Sequence, residues 1–180
     1  SPRIGFYGVI DERLDTHLIE RLARAQPTWN FILVGPIVKI NPKDLPSLPN
    51  IHYLGQKTYA ELPYYLSGWD VAFIPFALND ATKYISPTKT PEYLAGGKPV
   101  VSTPIKDIVK TFKAIKHVYI ADPQNLKSFI TAIDKAIISS KFPEPLCQEA
   151  DLFLQDMSWD KTFSEMNSLI VAAHNDKEAI

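Results

Sequence analysis

The sequence predicts an α/β domain organised as a doubly wound parallel sheet with helices on both faces. Two observations carry that expectation. Short apolar runs closed by glycine or proline recur along the chain, and the stretches between most of them set apolar residues at helical spacing. Strands and helices that alternate through short connections build a parallel sheet covered on both sides, because each crossover lays a helix on one face.

Residues 3–8 read as the first strand, and Leu14, Leu18, Ile19, Leu22 and Ala23 then form one helical stripe that Pro27 stops. Residues 30–34 are continuous and apolar and end at Gly35-Pro36, as expected of a strand buried on both faces. Proline-rich residues 41–50 read as a loop before a short strand at 51–54 that Gly55 ends. Thr58 is suited to cap a helix with Leu62, Tyr65 and Leu66 on its apolar face, and residues 70–76 form the next strand. Residues 77–89 lack periodicity, and connections of that length in compact domains are commonly functional. A short helix follows, with Thr90 as its N-cap, Pro91 in its first turn and Gly96-Gly97 at its end; residues 98–102 are the strand after it. A strand at 117–120 leads to a helix striped by Leu126, Phe129, Ile130, Ile133 and Ile137. Two polar-faced helices, 144–155 and 158–174, close the chain, the second striped by Trp159, Phe163, Met166, Ile170 and Ala173.

The chain of 180 residues fits a single domain, since domains run roughly 50–250 residues. Its 19 basic and 20 acidic side chains give a formal net charge of −1, so no basic field is available to hold a polyanion, and nucleic acid is not an expected partner. The apolar runs fall well short of the roughly 20 residues that span a bilayer. A lone Cys147 makes no internal disulfide, and no Cys/His cluster has zinc-ligand spacing; both point to a reducing, cytoplasmic setting. Ser1-Pro2-Arg3 leads straight into the first strand without a signal-peptide pattern, as it would in a domain excised from a longer chain.

In a doubly wound sheet, ligands bind beyond the carboxyl ends of the strands, where the strand order reverses. The loops at 9–13, 35–36, 55–57, 75–89 and 103–106 are therefore the places to look. Thr88, Lys89 and Thr90 stand where a helix starts, and exposed N–H groups there favour a phosphate, with Lys89 adding a full charge and Thr88 a hydroxyl. Glu92, in the first turn, is an acceptor-only side chain suited to a ribose diol; equally, it can simply complement the helix dipole. Gly8 allows close backbone approach. Arg13 can form a fork to a pyrophosphate, or it can pair with Asp11 or Asp15 on a wet surface. No Gly-x-Ser-x-Gly, Walker A or complete Gly-x-Gly-x-x-Gly motif is present, which weighs against ATP and NAD.

Tyr7-Gly8-Val9-Ile10-Asp11 with Arg13 and Asp15, then Val34-Gly35-Pro36, Leu54-Gly55 and the segment from Ser86-Pro87 to Val101 occur in that order. Together they resemble the C-terminal domain of GT-B glycosyltransferases, in particular the group-1 and family-4 bacterial enzymes that build capsule, lipopolysaccharide and other exopolysaccharides. The most specific piece is the run from Glu92 to Val101, similar to the family's Glu-(Ala/Tyr)-x-Ala-x-Gly-x-Pro-Val-Val; Ser158-Trp159-Asp160 before the last helix fits as well.

The resemblance implies one nucleotide-sugar-binding domain over 1–180, with the closing segment 158–175 crossing to an N-terminal half that would hold the acceptor and any catalytic base. It implies that Glu92 binds the ribose hydroxyls, Lys89 and Arg13 the diphosphate, and Thr88 with Thr90 its oxygens. Gly8 and Val9 would lie close to the phosphates, Gly35 would line the cleft, and Gly55 and Gln56 would border the base. The donor is expected to be a nucleoside-diphosphate sugar, UDP favoured over GDP, with no permanently bound cofactor and no metal required. The acceptor would be a glycan or a lipid-linked glycan, in a cytoplasmic enzyme at the inner face of the membrane, serving polysaccharide biosynthesis. Many retaining members carry a first glutamate eight residues before Glu92, where this chain has Tyr84, so the donor sugar and the stereochemical outcome are left open. Two alternatives stand beside transfer: a sugar-nucleotide 2-epimerase, and a non-catalytic interaction domain that kept the fold.

Overall fold

A computed structural model describes residues 1–86, 88–155 and 157–178; of residue 159 and residues 175–178 it describes the backbone only. Pro87 of the Ser86–Val101 motif and the side chain of Trp159 lie outside the described residues.

Six strands form one parallel sheet: β1 (Arg3–Tyr7), β2 (Asn30–Val34), β3 (Ile51–Tyr53), β4 (Val71–Ile74), β5 (Val100–Ser102) and β6 (Val118–Ile120). Their order is β3-β2-β1-β4-β5-β6. The register pairs Tyr7 with Val34 and Gly5 with both Ile32 and Ala72, so β1 lies at the centre. β4 is buried along its whole length and β1 from Ile4 onward, which explains why both read as apolar runs without alternation.

The helices are α1 (Thr16–Ala25), α2 (Leu62–Ser67), α3 (Lys89–Ala95), α4 (Lys106–Phe112), α5 (Leu126–Ser139), α6 (Pro143–Leu154) and α7 (Trp159–Glu178). The crossover through α1 carries the chain from β1 to one side of the sheet, and the crossover through α3 carries it from β4 to the other. Crossovers of one hand wound in opposite directions put α1 and α3 on opposite faces. Contacts agree: α1 packs on α5, and α3 packs on α6. On the face covered by α1 and α5 the core runs across the strands through aromatic contacts, Phe31 to Phe73 at 6.2 Å and Phe73 to Phe129 of α5 at 6.0 Å between ring centroids.

Three local expectations shift. α1 begins at Thr16 with Asp15 as its cap, whose side chain accepts from the Leu18 N–H at 2.8 Å; Leu14 is buried ahead of the helix. Thr90 is not a cap. α3 starts at Lys89 with Thr88 at the cap position, and Thr90 lies inside the helix, fully buried, with Pro91 still in the first turn where its missing N–H costs nothing. The segment 103–106 is not only a loop: Lys106 opens α4, which buries Ile108 and Phe112.

Candidate functional site

The strand order reverses between β1 and β4, so the chain segments leaving their carboxyl ends diverge and open a crevice. The loops after β1, β2 and β3 meet along its rim. The Gly8 N–H donates to the Val34 carbonyl at 2.9 Å, and the Gly35 N–H donates to the Gly55 carbonyl at 2.9 Å. Gly8 has φ of 142° and Gly35 of 148°, and a Cβ on Gly35 would fall onto the Gly8 carbonyl oxygen. Glycine is required at both positions by conformation and at Gly35 by space. Val9 and Gln56 are exposed beyond these turns, and no hydrogen bond ties Gln56 to Lys89 or Glu92.

Arg13 follows the β1 turn and is occupied by Asp11. Its Nε donates to Oδ1 at 2.9 Å and its Nη2 to Oδ2 at 2.6 Å, while its backbone N–H donates to Oδ1 at 3.1 Å. Burial works to raise the pKa of the Asp11 carboxyl, but the Arg13 hydrogen bonds outweigh it and hold it below its ordinary value. Asp11 is only 4% exposed while the Arg13 side chain is 39% exposed, so a buried carboxylate holds a guanidinium whose outer side faces solvent.

The start of α3 closes the crevice from the β4 side. Lys89 reaches back across it: a Cβ on Gly8 would lie 2.5 Å from Lys89 Cε and 3.1 Å from Nζ, and Nζ stands 5.8 Å from the centre of the Phe6 ring. Burial, opposed in part by the Glu92 charge, holds the Lys89 ammonium below the ordinary lysine range; Arg13 lowers it further and Asp11 opposes. Two cations and two carboxylates therefore act on one another in this corner. Thr88 is exposed and makes no capping bond, whereas the Thr90 hydroxyl is sealed in the core without a partner among the described residues. Of the polar residues at this helix start, Thr88, Lys89, Thr90 and Glu92, Thr90 is the one whose side chain is fully buried.

Glu92 accepts a 2.7 Å hydrogen bond at Oε2 from the Tyr7 hydroxyl. Burial, then the bond and charge of Glu92, push the Tyr7 phenol far above its ordinary range, so it stays a donor. Sequence reasoning missed this contact because 85 positions separate the partners. The available signal was a polar-tipped aromatic at the last position of an apolar strand, where a buried hydroxyl needs a partner.

The loop between β4 and α3, read from sequence as aperiodic, is organised by Thr82. Its N–H donates to Asn79 Oδ1 at 3.1 Å, and its hydroxyl bonds the Ala77 carbonyl. Tyr84 projects from this loop, 78% exposed, with Lys83 Nζ 5.4 Å from its ring centre. A separate groove of 580 Å³ lies at the β6 edge, lined by Lys113, Tyr119, Lys127, Ser128, Thr131 and Lys135.

A family model described as glycosyl transferases group 1 matches residues 1–138. The chain belongs to that family. This group 1 chain is 31% identical over 137 residues to the teichuronic acid biosynthesis glycosyltransferase TuaH of Bacillus subtilis (strain 168), a match covering 74% of the chain and 34% of TuaH. In fold it is similar to sucrose-phosphate synthase from Thermosynechococcus elongatus, with a TM-score of 0.76, 16% identity, and coverage of 97% of this chain and 46% of that one. It is likewise similar to Anabaena Alr3699/HepE, solved in complex with UDP-glucose, with a TM-score of 0.72, 14% identity, and coverage of 94% and 48%. The group 1 chain thus spans less than half the length of each of these relatives, and its sheet is the Rossmann-like half of a GT-B architecture. Among the described residues no helix is long and apolar enough to cross a membrane.

Proposed function

We propose that this chain holds the nucleoside diphosphate of a sugar-nucleotide donor for a glycosyltransferase that moves a sugar to a glycan or lipid-linked acceptor. The observation that carries the reading is the corner where Lys89 and Glu92, one helical turn apart on α3, stand beside the Gly8 turn at the reversal of strand order. In this reading Lys89 and the clamped Arg13 neutralise the diphosphate, Thr88 donates to its oxygens, and Glu92 accepts from the ribose diol. Gly8, Val9 and Gly35 allow close approach of backbone, and Gly55 with Gln56 borders the base. Thr90, being sealed, supports the helix start and does not touch the ligand.

The chemistry is displacement at the anomeric carbon. The acceptor oxygen bonds to that carbon, the bond to the diphosphate breaks, and the leaving group carries away the electron pair. Fixed cations aimed at those oxygens stabilise the charge that develops, without reorganisation at the moment of reaction. The acceptor proton passes to a base that we assign to a second, N-terminal half. That half is supported by the share of each relative that the chain spans and by the exposed Phe163, Met166, Leu169 and Ile170 on α7, a face suited to crossing onto it. UDP is the favoured nucleotide because a fold neighbour was solved with UDP-glucose. Membership of the group 1 family weighs for transfer over epimerisation. A second reading, nucleotide binding without transfer, rests on Tyr84 standing exposed where many members carry a glutamate.

Calorimetric titration of the chain with UDP, GDP and ADP tests the assignment. One diphosphate is expected to bind saturably, and Lys89→Ala is expected to weaken it roughly tenfold or more, the worth of a hydrogen bond to a charged group. Binding unchanged by the substitution would refute the site; failure of all three to bind would refute the donor-domain reading of this chain.

A further inference from the structure

Glu92 and its neighbour Tyr93 both reach across the sheet to the same strand residue. The Tyr93 hydroxyl, in a fully buried side chain, accepts from the Tyr7 backbone N–H at 3.1 Å and donates to the Tyr7 carbonyl at 3.4 Å. The Tyr7 ring lies against Tyr93, edge to face with centroids 4.8 Å apart, and against Trp69 at 5.8 Å. Trp69 in turn packs on Tyr93 at 6.0 Å. Tyr7 is 7% exposed, so its backbone, ring and hydroxyl direction are fixed together by a closed aromatic triangle. What emerges from that triangle is one O–H, aimed at Glu92 Oε2 at 2.7 Å.

A carboxylate has two oxygens with about four acceptor positions, and a glutamate at a helix start has three side-chain torsions with which to spread them. Recognition of a vicinal diol needs both hydroxyls met at once, which requires the carboxylate plane to be set before the ligand arrives. Tyr7 takes one position on Oε2, which anchors that oxygen and narrows the orientations the carboxylate samples. Among the described residues no other hydrogen bond uses Glu92's side chain, so Oε1 and the second lone pair of Oε2 are left to accept.

We infer that Tyr7 is a positioning residue that sets the Glu92 carboxylate for a ribose diol, and that the site distinguishes ribonucleoside from deoxyribonucleoside diphosphates through this pair. The inference rests on the reading of Glu92 as the ribose ligand, and adds to it a residue 85 positions away in the chain that never touches the nucleotide. Tyr7 contributes nothing to a ligand that lacks the diol.

The test is a cycle of Tyr7→Phe, Glu92→Ala and the double variant, each titrated calorimetrically with UDP and GDP and with their 2′,3′-dideoxy counterparts. Tyr7→Phe keeps the ring and removes only the hydroxyl, and thermal unfolding of each variant reports whether the aromatic triangle survives. The intact chain should prefer the ribonucleotide. Tyr7→Phe should cut that preference by roughly fivefold, the worth of one hydrogen bond, while leaving dideoxynucleotide affinity unchanged; in the Glu92→Ala background it should change nothing. If Glu92→Ala abolishes the preference but Tyr7→Phe keeps it, or weakens both ligands equally, Tyr7 is only a packing residue and the inference fails alone. If Glu92→Ala keeps the preference, or no nucleotide binds, the ribose assignment falls and the role of Tyr7 with it.

Discussion

The Lys89 ammonium stands over the Phe6 ring face at 5.8 Å, against Gly8, with burial as the main cause of its lowered pKa. The unfolded chain therefore binds more protons than the folded one between that lowered pKa and the ordinary 10.5, and this residue's contribution to stability rises with pH across the window. An anionic diphosphate reverses the shift by favouring the charged amine. Binding above the lowered pKa must then take up a proton, and affinity must fall as pH rises through the window. Titration with UDP over a pH series rising to 10.5, in pairs of buffers of different ionisation enthalpy, should give apparent enthalpies that diverge as the window is entered, and Lys89→Ala should remove the divergence. Enthalpies of the unaltered chain that stay buffer-independent over the whole series would show that Lys89 does not meet the phosphates. Arg13 makes a contrasting case: sequence left it between a phosphate fork and a pair with Asp11, and the buried Asp11 carboxylate holds it in a bidentate grip. The pairing is fact; its use as a clamp for a diphosphate is part of the proposal.

At the scale of elements, signals of local origin were mostly legible. Gly35 and Gly55 ended their strands as read, and the stripe Leu18, Ile19, Leu22 and Ala23 is the buried face of α1. The α3 start was misread by two residues because Thr88 and Thr90 both have N-cap chemistry, and only tertiary packing decides which threonine is drawn into the core. α4 went unassigned although its signal is local: Ile105, Ile108, Phe112 and Ile115 stand at helical spacing and are all buried, with Lys106, Lys110 and Lys113 on another face. Long-range ties were the least legible, because no local pattern names the partner. Lys98, in the Gly-Gly-Lys-Pro run, donates from Nζ to the Ser67 carbonyl at 2.9 Å and the Trp69 carbonyl at 2.8 Å, which closes the end of α2 onto the entry to β4. Lys98→Met should cost about 1–2 kcal/mol in chemical denaturation, reduced from the full worth of two charged bonds because the amine is partly solvated. Loss of nucleotide affinity beyond what instability explains would mean that Lys98 serves the site as well as the fold.

At the scale of the molecule, alternation of strand and helix gave the doubly wound class, and the order β3-β2-β1-β4-β5-β6 fixes where a ligand of such a sheet would lie. The sequence could nominate Gly8, Gly35, Lys89 and Glu92 from three separate stretches. It could not show that they share one crevice, because that follows from β1 pairing with β4 far along the chain, as in Ile4 with Val71. The 580 Å³ groove at the β6 edge carries three lysines, so it is the natural competitor for an anionic ligand. Amide chemical-shift mapping during a titration with UDP separates the two most directly. Progressive shifts are expected at Gly8, Gly35, Lys89 and Glu92, with Lys127 and Thr131 unmoved. Shifts confined to Lys127, Thr131 and their neighbours, or none anywhere as UDP is raised to excess, would contradict it.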